Sequence, residues 1–98
     1  MLTNELMLMV SKFLYGEYDP EEFSFDFPDR MYEVYDEFSK ENEALCDCLD
    51  DLSYVCQWYD PHNTGVDGTI GLDEFKQRVF DIYEKALPMA RENIKRIS

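Results

Sequence analysis

Apolar residues along this chain recur at intervals of three and four. That spacing gathers them on one side of an α-helix and would scatter them over both faces of a strand. Leu2, Leu6, Met9, Val10, Phe13 and Leu14 form the first such stripe and predict an amphipathic helix over residues 3–15. Thr3 suits its N-cap and Gly16 its stop. Asp19-Pro20-Glu21-Glu22 then reads as a cap, a proline at the first helical position and an acidic first turn. Phe23, Phe25 and Phe27 alternate with period two, which argues against a clean helix there, and Pro28 is expected to break or kink what precedes it.

Met31, Val34, Tyr35 and Phe38 restore a helical stripe over residues 29–38, and residues 39–42 read as a short polar connection. The clearest helix is predicted over residues 43–59, with Leu45, Leu49, Leu52, Cys56 and Tyr59 along its apolar side. Residues 60–65 are turn chemistry throughout, and Asp67-Gly68 repeats it. Leu72, Phe75, Val79, Ile82, Tyr83, Ala86 and Leu87 mark a last long helix, which Pro88 is expected to interrupt ahead of a basic tail with Arg91, Lys95 and Arg96. With 98 residues, of which 45% are hydrophobic, there is material for one domain with one core. The expected fold is all-α: an antiparallel four-helix bundle over residues 1–98, its second helix kinked or broken.

Charge narrows the function. The net charge is −13, and nearly all of it lies in residues 17–51, which hold fourteen acids against Arg30 and Lys40. Phosphates would be repelled by such a surface, so nucleic acid is not an expected ligand; a basic partner is. The N-terminus lacks the basic and uninterrupted apolar regions of a signal peptide, and no stretch approaches a membrane span. Cys46, Cys48 and Cys56, odd in number and within one helical pattern, read as reduced thiols of a cytosolic protein.

Catalytic and metal chemistry find little support. On a helical wheel the three cysteines point near 100°, 300° and 20°, roughly, which cannot converge on one zinc ion. His62 is the single histidine and lies in a loop, and Cys56 faces the core with nothing to orient a base. No phosphate-cradling or triad pattern occurs, so neither enzymatic activity nor a cofactor is expected. The segment 63–75 resembles an EF-hand loop, with Asp67, Gly68, Ile70 and Glu74 in suitable positions. Asn63 and Gly65, however, stand where ligands belong. A degenerate calcium-binding protein is therefore one alternative function. An acidic DNA mimic that blocks a DNA-binding protein is another.

The face of the 43–59 helix opposite its core stripe is the most specific feature. With Leu45 set at 0°, Asp50, Glu43, Tyr54, Asp47, Trp58 and Asp51 all fall between about 140° and 240°. Four acids, a tyrosine and the single tryptophan thus share one outward face. Aromatic anchors flanked by complementary charge are typical of protein–protein interfaces. Glu43, Asp47, Asp50, Asp51, Tyr54 and Trp58 are the central candidates for binding a basic protein, with Glu33, Asp36 and Glu37 of the preceding helix at the rim. The competing expectation is that Trp58 packs under the 60–71 loop.

Four motifs carry a family resemblance. They are Lys12-Phe13-Leu14-Tyr15-Gly16, Asp19-Pro20-Glu21-Glu22-Phe23, Trp58-Tyr59-Asp60-Pro61 and Ile70-Gly71-Leu72-Asp73-Glu74-Phe75. Over residues 2–87 the chain resembles the bacterial immunity proteins of the colicin D type, including those of contact-dependent growth inhibition systems. The resemblance implies a cytosolic four-helix protein that binds and blocks a cognate toxin, often a ribonuclease acting on tRNA. It supplies no site residues of its own, so the candidate site rests on the helix face and the acidic run.

Overall fold

The computed structural model describes residues 1–62, 65 and 68–97, with the backbone alone over 92–97. Among the described residues four helices follow one another: α1 (Leu2–Leu14), α2 (Pro20–Glu41), α3 (Glu43–Trp58) and α4 (Leu72–Ile97). Among the described residues there is no strand, only a single bridge between Tyr59 and Ile70. Helix α2 packs on α1 and α3, and α4 on α3 and α1, which closes the four into a bundle around one core. No helix among the described residues is long and apolar enough to cross a membrane.

Helix α1 ends at Gly16 as expected. The Glu17 N–H bonds the Lys12 carbonyl at 2.8 Å and the Gly16 N–H bonds the Phe13 carbonyl at 3.1 Å, a Schellman arrangement. Gly16 takes φ +80°, a region that penalises any Cβ. The helix starts earlier than expected, with Met1 at the cap position. Thr3 is therefore not a cap. Its buried N–H and hydroxyl reach across to the Glu41 carboxylate at 3.0 and 3.2 Å, so α2's last residue serves the first turn of α1.

The Phe23–Phe27 segment corrects the period-two expectation. It is helical, and α2 runs through Pro28 as one element. Phe23 and Phe27, four apart, are fully buried, whereas Phe25 is 63% exposed. Positions i and i+4 share a face in either structure, and only the middle residue tells helix from strand. Asp19 accepts the Glu22 N–H at 3.1 Å as the N-cap, with Pro20 at the first helical position. Pro28 lacks an N–H, so the Ser24 carbonyl loses its intrahelical donor. Burial of the neighbouring Phe23, Phe27 and Met31 outweighs that loss: each large side chain is worth about 1.5–3 kcal/mol.

The polar connection expected over 39–42 shrinks to one residue. Asn42 caps both helices: its N–H bonds the Phe38 carbonyl at 2.8 Å, and its side-chain oxygen accepts the Leu45 N–H at 3.1 Å. Its amide nitrogen also donates to the Met89 carbonyl of α4 at 3.1 Å. Asn42→Ala is expected to lower stability by about 1–3 kcal/mol, since one cap and one part-buried bond are lost together. Asn42→Asp should restore only the cap, and urea denaturation of both variants separates the two contributions.

Tyr59 lies just past α3 rather than inside it, in extended conformation. Its ring stacks on Phe75 with centroids 4.4 Å apart, and its bridge to Ile70 pins both ends of the α3–α4 loop. The expected interruption at Pro88 does not occur: α4 continues to Ile97, so Arg91, Lys95 and Arg96 belong to the helix, not to a separate tail. The side chains of Lys95 and Arg96 lie outside the described residues.

Candidate functional site

Helices α2 and α3 run side by side and leave a groove of about 540 Å³ between their outward edges. From α2 it is lined by Pro28, Met31, Tyr32, Glu33, Tyr35 and Asp36, and from α3 by Asp50, Ser53, Tyr54 and Gln57. The spacing explains the convergence. Tyr32 and Asp36 are four apart on α2 with Tyr35 between them, and Asp50 and Tyr54 are four apart on α3 around Ser53. Both rows flank the buried stripes, so packing the stripes together brings the rows face to face.

Of the residues expected at the site, Asp50 and Tyr54 from α3 and Glu33 and Asp36 from α2 meet in this groove. Asp47, Asp51 and Glu37 are exposed on the same two helices, outside the groove lining. Glu43 lies at the start of α3, beside a separate depression shared with Lys40, Asn42 and Met89. Trp58 is 49% exposed, and a Cβ placed on Gly68 would lie 3.5 Å from its ring. The tryptophan thus rests one part of its surface on the loop, as the competing expectation held, and offers the remainder to solvent.

The reading from sequence missed Tyr32, Tyr35, Ser53 and Gln57. Tyr35 was expected on the core side of its helix, yet it is exposed at the groove edge. Among the described residues Tyr32 is the most exposed large hydrophobic side chain, at 88%. Its position three before Tyr35 and four before Asp36 was the available signal: an aromatic–acid row on α2 matching the one on α3.

Electrostatics in the groove are lopsided. Glu33 is 3.3 Å from the Arg30 guanidinium, which also forks onto Glu5 of α1. Asp36 and Asp50 have no ion-pair partner among the described residues, and no lysine or arginine lines the groove. Burial, together with the neighbouring Asp51 and Asp47, pushes the Asp50 carboxyl above the ordinary carboxylate range. The Tyr35 phenol is raised as well, by Cys46 and Asp50, by burial, and by Asp47 and Asp36.

An elevated carboxyl pKa has a definite consequence for stability. The folded state holds its proton more tightly than the unfolded chain, so ionised Asp50 works against folding at neutral pH, and this penalty fades on acidification through its folded pKa. Asp50→Asn is therefore expected to raise the melting temperature at pH 7. The gain over the parent chain should shrink towards pH 3, and thermal melts at the two pH values test it.

The thiols are structural. Cys46 points at the Tyr35 carbonyl of α2 (4.0 Å) and Cys48 at the Ile82 carbonyl of α4 (3.8 Å), while Cys56 is buried in the core. Burial pushes Cys46 up to about 11 and Cys56 up to about 12, far from nucleophilic thiolates. Among the described residues no cluster of His, Cys, Asp and Glu could hold a metal ion. Asn63 and Asp67 of the EF-hand-like segment lie outside the described residues, and Glu74 is engaged by Arg78 at 2.6 Å. Compared with known proteins, the chain matches no family model, no curated protein and no solved structure.

Proposed function

We propose that this chain is a cytosolic immunity protein of the colicin D type, which neutralises a basic toxin domain, a ribonuclease in the fullest form of the reading, by stoichiometric binding. The observation that carries it is the groove, where tyrosines from two helices surround Asp36 and Asp50, two carboxylates with no ion-pair partner among the described residues. A domain that cleaves RNA presents a basic cleft, and a rigid acidic surface can occupy that cleft in place of phosphate. Opposite charge accelerates encounter, and aromatic anchors slow release. In this reading the helices run antiparallel, and a kink at Pro28 shapes the α2 wall of the groove. Asp47, Asp51 and Glu37 steer from the rim, with Trp58 and Glu43 at the two ends of the α3 face.

The test is co-expression in a bacterial host. The C-terminal domain of the protein encoded immediately upstream is produced with and without this chain. Toxicity that the chain relieves, together with a one-to-one complex of the purified pair, is the expected result. A harmless neighbour, or toxicity left unrelieved, would overturn the proposal. The association rate of the purified pair should fall steeply as ionic strength rises, because exposed charges are screened beyond about 8 Å at physiological salt.

A further inference from the structure

Ser53 is the anomaly in the groove. It lies in the middle of α3, is only 8% exposed, and its hydroxyl oxygen has no hydrogen-bond partner among the described residues. A buried serine within a helix usually relieves itself on the carbonyl one turn back. Here that bond is absent, and an alanine would fill the position without an unsatisfied polar atom. The same serine forms part of the groove lining between Asp50 and Tyr54.

We propose that the groove takes up one arginine side chain of the partner, its guanidinium bound by Asp36 and Asp50, stacked against the tyrosines and donating to the Ser53 hydroxyl. This deepens the reading of the chain as a binder of a basic protein and rests on it. The occupant is a cation because three carboxylates line the groove, no basic side chain does, and only Glu33 is compensated, by Arg30. The groove, at about 540 Å³, is large enough for a long side chain.

Arginine fits better than lysine for three reasons. Its planar fork serves acceptors on both walls at once, whereas an ammonium is a point charge. Its flat face stacks on Tyr32, Tyr35 or Tyr54, where a hydrated ammonium gains less. Its weaker hydration also lowers the cost of bringing it down to a hydroxyl that water scarcely reaches.

The test uses the full chain, isotopically labelled, titrated at constant ionic strength with N-acetyl-arginine amide and, separately, N-acetyl-lysine amide. The expected result is saturable amide shifts confined to residues 28–36 and 50–57. Binding should be in the millimolar range, roughly, with lysine weaker by about threefold or more. Asp36→Asn combined with Asp50→Asn should abolish saturation. Ser53→Ala should keep the fold and weaken the arginine probe selectively. Equal responses to both probes, shifts spread over the whole acidic surface, or indifference to Ser53→Ala would each overturn the proposal. The immunity reading fails separately. Saturable arginine binding with no toxin relieved would sink that reading and leave the groove standing. Full relief of toxicity by the Asp36→Asn, Asp50→Asn double variant would do the reverse.

Discussion

Phe23→Ala is expected to lower the stability of this chain by about 3–5 kcal/mol, the range for truncating a fully buried aromatic. Phe23 stacks on Phe13 of α1 with centroids 4.5 Å apart, touches Phe27 on its own helix, and approaches Phe75 of α4. Three helices therefore lose contacts at one site. Phe75 in turn stacks on Tyr59, which pins the α3–α4 loop, so the cavity cannot be closed by a shift of one side chain. A domain of this size typically has about 5–15 kcal/mol in all, and each kcal/mol shifts its melting temperature by roughly 4–8 °C. Thermal unfolding should thus begin some 12 °C lower, at least, by the same conversion. A shift of only a few degrees would mean that the aromatic cluster is not the centre of the core. Phe25→Ala, two residues away on the opposite side of α2, should change little.

Tyr54→Ala is expected to have its large effect on binding and almost none on folding. The side chain is 58% exposed and, among the described residues, no ring contact ties it to the core, so the free chain should stay within about 0.5 kcal/mol of the parent. Against the toxin domain, an aromatic anchor beside a desolvated charge is worth about 2 kcal/mol or more, a loss of roughly thirtyfold in affinity. The loss should appear mainly in the dissociation rate. Tyr15→Ala, equally aromatic and still more exposed but placed at the end of α1, should bind as the parent does. An affinity unchanged by Tyr54→Ala, or lowered equally by Tyr15→Ala, would move the interface away from the groove.

These two outcomes also divide what was legible in the sequence from what was not. The buried stripes of α1, α3 and α4 were readable because each persists for three turns or more, and no strand pattern competes over that length. The acidic run was legible as a count of charges, and the outward position of Asp50 and Tyr54 followed from the same periodicity. The departures from helix expected at Phe23–Phe27 and Pro88 did not occur, Pro28 does not break α2, and the connection expected over residues 39–42 narrowed to Asn42; these outcomes share one cause. Each is a local preference of a few residues, set against the burial of side chains on a long helix. Local propensity is worth fractions of a kcal/mol to about 3 kcal/mol at a proline, and a handful of buried phenylalanines exceeds that.

By itself, then, the sequence determined that the chain is helical, which side of each helix is apolar, and where the negative charge is concentrated. Those properties belong to single segments and follow from the geometry of one helix. Only the tertiary structure decided that Glu41 serves Thr3 across the bundle, that Asn42 ties three helices together, and that Tyr32 and Tyr35 face Asp50, Ser53 and Tyr54 across one groove. Each of these joins residues from different helices. Their meeting depends on the packing of the buried stripes, which no single segment encodes.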